Sequence, residues 1–334
     1  MSLTTQYLGL TLKNPLVASA APPNAHLDHL RHLEDAGAAA VVLPSLFEEQ
    51  IEAETALEAQ IYDLHANNSP EATSYFPEPI AGPYGVGPDA YLDLVRRARA
   101  ALSIPVIASL NGATDAGWTN YAQLLQQAGA QAIELNVALV PIDITLDGRE
   151  VEERILHILA SVRRVVNVPV AVKLGPFVSS LGHFAMRLVE AGADGLVLFN
   201  RLVQPDIDIV RLAFDTHMPL SRPEEMRLPL LWISLLAGRL KASLAASTGV
   251  DRADDVVKAL LAGADVVMTS SAVLRYGPNC LSIWLDDLRA WMTARDFKDI
   301  AELRGLMSGQ KLPNKELLGR PSYMKMLGDA VMPS

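Results

Sequence analysis

The sequence predicts an α/β protein, a (β/α)8 TIM barrel with an N-terminal β-hairpin and long loops over the C-terminal face. Three observations carry this. A helix–glycine–strand phrase recurs in EDAGAAAVVLP, QQAGAQAIELN, VEAGADGLVLF and LLAGADVVMTS, around Gly37, Gly129, Gly192 and Gly263. The strand runs are almost wholly apolar, as in a parallel sheet covered on both faces. Strand and helix patterns alternate through eight units, which argues for a closed barrel over an open doubly wound sheet.

The elements follow in order. The opening TTQYLGLTLKNP alternates weakly and predicts a hairpin. Apolar runs predict strands at 16–20, 39–43, 105–109, 132–136, 169–174, 195–199, 242–247 and 265–269. The third and fifth open at Pro105 and Pro169, where a missing N–H lies outside the ladder. Amphipathic stretches predict helices at 25–36, 88–102, 118–128, 151–165, 180–191, 225–239, 251–262 and 278–293. Each repeated glycine follows a helix, where a left-handed residue ends it. The connections 44–87 and 201–224 are long and follow strands, so they belong to the face where barrels build active sites. Each reads equally as a surface insertion or as the cover of a site. The whole chain, 1–334, reads as a single domain.

Composition narrows the function. The 334 residues carry a formal charge of −10 and one cysteine, Cys280. A single thiol cannot build a disulfide framework, a thiolate zinc site or an iron–sulfur cluster within this chain. It also fits a reducing, cytoplasmic setting. The acidic balance argues against sequence-independent binding to nucleic acid. No run of about 18 apolar residues suggests a membrane span. Ala18-Ser19-Ala20 could pass for a cleavage site, but no basic stretch precedes it. His26, His29 and His32 share one helix side without a set of carboxylate ligands, so a solvated helix is the better reading. Walker A, GxGxxG-after-strand and nucleophile-elbow sequences are absent.

The C-terminal ends of the predicted strands carry the chemistry. In order they bear Ser19-Ala20, Ser45, Ser109 and Asn111, Glu134 and Asn136, Lys173, Asn200, Ser247-Thr248-Gly249, and Thr269-Ser270-Ser271. Asparagines match the donors and acceptors of amides and ring imides. Small residues at the last two strand ends suit a phosphate. A lysine inside the apolar strand VPVAVKLG is poor core filler, because burying its charge unpaired is costly. Glu134 has no evident place in this ring.

Taken together, KNPLVASA (with Asn14 and Pro15), VIASLNG, AIELN, VAVKLGP, GLVLFN and STGVDRADDVVKALLAGADVVMTSSAVL resemble the dihydroorotate dehydrogenase family. That family comprises FMN-binding (β/α)8 barrels and includes the pyrimidine-reducing barrel domain of dihydropyrimidine dehydrogenase. The resemblance implies an oxidoreductase of pyrimidine biosynthesis. Its cofactor would be FMN, and hydride would pass from a CH–CH substrate, dihydroorotate or a related compound, to flavin N5. It implies that Asn111, Asn136 and Lys173 contact flavin or substrate, with Lys173 beside the N1–C2=O edge. Asn200 would face the substrate together with Asn136. Ser19, Ala20 and Ser45 would line the isoalloxazine, and Thr248-Gly249 and Ser270-Ser271 would hold the phosphate. It further implies a small-molecule substrate, a homodimer, and reoxidation by a soluble acceptor or an iron–sulfur partner subunit.

The departures are as specific. The family's cysteine or serine base follows the Glu-Leu-Asn strand, where this chain reads VALVPIDIT. Asp143 and Thr145 are the nearest replacements. The family's Lys-Ser after the second strand is Pro44-Ser45 here, and the asparagine of its substrate loop is replaced near Gly85. A double glycine is reduced to Thr248-Gly249, and a glycine-rich segment becomes LSRPEEMRLP. Two other readings stay open: a non-catalytic flavin- or partner-binding barrel, and a phosphate-binding lyase or isomerase using Lys173 as a Schiff-base or electrostatic residue.

Overall fold

The structure, a computed structural model, describes residues 1–47, 88–111, 115–137, 143–201, 205–215 and 219–312. The chain begins with an antiparallel hairpin, β1 (Thr5–Tyr7) and β2 (Leu10–Leu12). β3 (Leu16–Ala18), α1 (Leu27–Asp35), β4 (Ala40–Phe47) and α2 (Pro88–Ala101) follow. Next come β5 (Val106–Asn111), α3 (Asp115–Gln127), β6 (Ala132–Asn136), α4 (Gly148–Val165), β7 (Val170–Leu174) and α5 (Leu181–Glu190). After β8 (Gly195–Leu198), a second hairpin joins β9 (Asp206–Asp208) to β10 (Ala213–Asp215). The chain continues through α6 (Arg227–Leu236), β11 (Ser243–Ala246), α7 (Ala253–Ala262) and β12 (Val266–Thr269). It then passes through α8 (Ser271–Tyr276), α9 (Cys280–Thr293) and α10 (Ile300–Leu303). β3, β4, β5, β6, β7, β8, β11 and β12 close into a parallel barrel, with β12 pairing back onto β3. This is the predicted (β/α)8 barrel.

Strand alternation sorts the side chains into two cores. On β6, Ile133 and Leu135 point outward to the helices, while Ala132 belongs to the interior cluster. That interior cluster also takes in Val17, Val42, Ile107, Ala171, Val197, Ala245 and Met268. The β1–β2 hairpin seals its lower end: Tyr7, Leu8 and Leu12 pack into the same cluster. Two bonds fix this plug, from Thr5 Oγ1 to the Asp265 carbonyl (2.8 Å) and from Leu8 N–H to Ser243 Oγ (3.0 Å).

Local chemistry explains where elements begin and end. The four repeated glycines have φ between +102° and +120°, and a Cβ at Gly263 would strike that of Ala237. α4 starts at 148 rather than 151 because Asp147 forms a capping box: it accepts from Glu150 N–H at 2.8 Å, and Glu150 accepts from Asp147 N–H at 2.9 Å. The predicted helix 25–36 is preceded by a separate 3-10 turn at Pro22–Ala25, and 225–239 divides into a turn at Pro223–Met226 and α6. The β9–β10 hairpin was not predicted. Its tip is tied by Asp208, whose Oδ1 accepts from Val210 and Arg211 N–H at 2.8 and 2.9 Å. Cys280 is buried at the start of α9, and burial pushes its thiol pKa up to about 11. No helix among the described residues is long and apolar enough to cross a membrane.

Candidate active site

A cavity of about 510 Å³ opens at the C-terminal end of the barrel. Ser19, Ala20, Ser45, Asn111, Asn136, Lys173, Asn200, Thr248, Gly249, Ser270 and Ser271 all line it. These residues come from all eight strand ends of the barrel, and only its closure brings them together.

Each is held for a physical reason. Ser19 sits where β3 leaves the sheet. The buried Asn24 amide donates to the Ser19 carbonyl (3.0 Å) and the Val42 carbonyl (2.7 Å), which fixes β3 against β4. Pro44 puts a bulge in β4, so that Leu43 and Pro44 together oppose Ala108. Tyr91 on α2 repairs the neighbouring ladder: its hydroxyl accepts from Ser109 N–H (3.0 Å) and donates to the Ser109 carbonyl (3.2 Å). Burial raises the Tyr91 pKa and keeps that hydroxyl protonated. Beyond the bulge, the Ser45 and Ser109 hydroxyls meet at 2.8 Å. The Asn136 amide donates to Ser45 Oγ at 3.5 Å and accepts from the Asn200 amide at 2.9 Å. The side chains of β4, β5, β6 and β8 are thus joined across the mouth.

Lys173 stands opposite Asn136 in the β6–β7 register. Its Nζ lies 3.5 Å from Ser19 Oγ and 3.5 Å from Glu134 Oε1. This settles the place of Glu134. It points inward like Asn136, one layer below, and is 1% exposed. The i, i+2 spacing of Glu134 and Asn136 held that signal. Neither Glu134 oxygen has a hydrogen-bond partner among the described residues.

The last two strand ends form a turn system. Thr248 and Gly249 have φ of +79° and +77°. Thr248 Oγ1 donates to the Phe199 carbonyl at 2.8 Å, which helps hold a conformation a β-branched residue seldom adopts. A Cβ on Gly249 would lie 2.6 Å from Met226 N and 2.9 Å from the Arg222 carbonyl. Ser221 bridges the two turns: its Oγ accepts from Gly249 N–H (3.3 Å) and its N–H donates to Ser271 Oγ (3.0 Å). Ser221 and Arg201 line the cavity and carried no clear sequence signal. Arg201 Nε donates to Glu225 at 2.8 Å, and its guanidinium also donates to the Pro219 carbonyl. Lys173 and Arg201 are the charged residues of the lining among the described residues; no carboxylate joins them.

Asp143 and Thr145 lie elsewhere. Both are exposed and neither lines the cavity. Asp143 Oδ1 accepts from the Thr145 hydroxyl (2.6 Å) and N–H (2.9 Å), which holds its carboxyl below the usual range. Residues 138–142 of the same loop, and the expected replacement near Gly85, lie outside the described residues.

The arrangement agrees with comparison to known proteins. A model of the family described as dihydroorotate dehydrogenase matches residues 81–292. The chain belongs to the dihydroorotate dehydrogenase family. It is 25% identical over 305 residues to the dihydroorotate dehydrogenase B (NAD(+)) catalytic subunit of Desulforudis audaxviator, covering 89% of this chain and 94% of that one. The protein of the same name from Pyrococcus furiosus is 24% identical over 313 residues, covering 92% and 99%. That from Halalkalibacterium halodurans is 29% identical over 212 residues, covering 62% and 69%. The dihydroorotate dehydrogenase family match includes β5 to β12, which supply most of the cavity's polar residues.

Proposed function

We propose that the protein is an FMN-dependent oxidoreductase that takes hydride from a CH–CH substrate, dihydroorotate or a related compound, without the usual cysteine or serine base. One observation carries this reading: a buried lysine stands in the barrel mouth among amides and hydroxyls, in a cavity lined by two cations and no carboxylate among the described residues. The volume falls in the range of small-molecule sites. FMN brings a planar imide edge and a phosphate, and the donor set fits both. When bound, it would supply a two-electron acceptor for hydride.

The chain's own residues then divide the work. Lys173 offers a cation to the imide edge, where negative charge accumulates on reduction. Asn136 and Asn200, already bonded to each other, orient the substrate. Ser270, Ser271 and the Thr248–Gly249 turn hold the phosphate, against the wall made by Ser221. The proposed base, Asp143 supported by Thr145, must approach the cavity to remove a proton. In the observed conformation it is exposed, and its lowered pKa makes it a weak base at neutral pH. This favours an altered substrate whose neighbouring C–H needs less help. The proposal extends to a cytoplasmic homodimer that passes electrons to a soluble acceptor or a partner subunit; the relatives' name, catalytic subunit, supports the partner subunit alone.

The lyase reading is weaker. Lys173 faces a buried carboxylate, which suits an ammonium and not a free-amine nucleophile. The test is direct. Purified protein is expected to be yellow and to release FMN on denaturation. Colourless protein that cannot be reconstituted with FMN sinks both flavin readings. Bleaching of yellow protein by dihydroorotate under anaerobic conditions identifies that substrate. No bleaching by it leaves a related substrate or a non-catalytic flavin barrel.

A further inference from the structure

We propose that Glu134 is a positioning residue: it is the fixed counter-charge that holds the Lys173 ammonium in place and limits how strongly that ammonium favours a reduced, negatively charged cofactor. The inference rests on the FMN reading above and goes beyond it by giving the buried carboxylate a role in the oxidation–reduction balance.

The geometry is unusual for a core carboxylate. Glu134 is 1% exposed, and the nearest cation is Lys173 at 3.5 Å. Neither oxygen is hydrogen-bonded among the described residues. A buried carboxylate is normally satisfied by several donors, because desolvation outweighs a single ion contact. The groups around it do not supply them. Below, the Tyr7 hydroxyl is also buried and without a partner among the described residues, and its pKa is raised by burial and by the Glu134 and Asp265 charges. Beside it on β5, Ser109 turns its hydroxyl to Ser45. Glu134 is therefore tied to the mouth chiefly through Lys173, and Lys173 to the interior chiefly through Glu134.

Electrostatics gives the consequence. With both charges present the interior is neutral overall, and the carboxylate opposes any negative charge that accumulates above Lys173. At low effective dielectric this opposition extends well beyond contact distance. Removing only the carboxylate charge leaves the ammonium uncompensated. The reduced cofactor then gains stabilisation relative to the oxidised one. The balance shifts toward reduction, and return of electrons to an acceptor is disfavoured.

The experiment has two readouts. The first is the FMN midpoint potential by anaerobic dye titration. Glu134→Gln is expected to favour two-electron reduction at least tenfold, about 30 mV more positive, whereas Glu134→Asp, which keeps the charge, stays near the wild type. The second uses protein stripped of FMN: urea unfolding of Glu134→Gln, Lys173→Met and the double variant. The two losses are expected to be non-additive by at least tenfold in the unfolding equilibrium, the double variant recovering much of the loss. An unchanged or more negative potential in Glu134→Gln overturns the tuning role. Additive losses overturn the pairing. Wild-type protein that takes up no FMN overturns the functional reading and the tuning role together, and the unfolding cycle still decides the pairing.

Discussion

Each end of the barrel holds a buried carboxylate, and the two are treated differently. At the lower end, Asp265 Oδ2 accepts from Leu244 N–H at 2.8 Å, its other oxygen pairs with Arg304, and its backbone carbonyl receives Thr5. At the upper end, Glu134 has one cation at 3.5 Å and no hydrogen bond among the described residues. Asp265 is a fastener: its carboxylate joins β11 to the segment after α10, and its backbone carbonyl ties in the hairpin plug. The upper one fastens little, and the cation that it faces lines the cavity. Of the two carboxylates, the one at the end that holds the fold is satisfied, and the one beneath the cavity is not.

The largest expected effect breaks the upper pair from the lysine side. Lys173→Met leaves Glu134 buried without its cation and should destabilise the protein by about 3–5 kcal/mol, read by urea unfolding. A loss below about 1 kcal/mol would mean that water already compensates Glu134, and the contrast between the two ends would fail. Gly249→Ala comes next. The added Cβ meets backbone on two sides at φ +77°, so a loss of about 1–3 kcal/mol is expected, with weakened retention of FMN. Stability and cofactor content both equal to wild type would show that the turn can shift.

Tyr91→Phe probes the wall between the ends. It strips the Ser109 N–H and carbonyl of the hydroxyl that serves both, at an expected cost of about 1–3 kcal/mol. An unchanged unfolding midpoint would mean that water takes its place.

The lower carboxylate makes a pH prediction. Burial raises the Asp265 pKa despite the Arg304 charge. Between the unfolded value, about 3.9, and the raised folded value, the native state keeps a proton that the unfolded chain releases. Stability from this group therefore falls as pH rises through that window, and the penalty is complete above the folded pKa. Asp265→Asn should flatten this part of the stability–pH curve, a smaller effect than the substitutions above. Parallel curves for the two proteins from pH 4 to 7 would show that the hydrogen bonds win over burial.

The same contrast explains what the sequence revealed. The barrel was legible because each repeat combines a helix-ending glycine with a strand apolar on both sides. The cavity residues were legible because the ends of parallel strands must converge at one mouth, so Asn111, Asn136, Lys173 and Asn200 could be gathered before any geometry was known. Ser221 and Arg201 escaped, because they lie on a long connection whose path over the mouth is set by tertiary contacts. Glu134 was visible but unplaced: its parity with Asn136 says that it points inward, yet only the register with β7 brings it to Lys173. The β9–β10 hairpin escaped because its exposed strands show no buried face to alternate against.

The smallest expected effect concerns the loop where this chain leaves its family. Asp143 is fully exposed, and its two hydrogen bonds are to a neighbour two residues away. Asp143→Asn should leave the unfolding midpoint unchanged, as surface substitutions away from structural features usually do. Any consequence must then appear in turnover. If Asp143 takes the substrate proton, the variant loses roughly 10²–10⁴-fold in the rate of cofactor reduction while FMN content and the unfolding midpoint stay the same. If the reduction rate also stays the same, and does so again in Thr145→Val, neither candidate base on this loop is at work. The chain would then have kept the cation that receives the electrons and given up the group that removes the proton, and its substrate must be one whose second C–H bond breaks without a protein base.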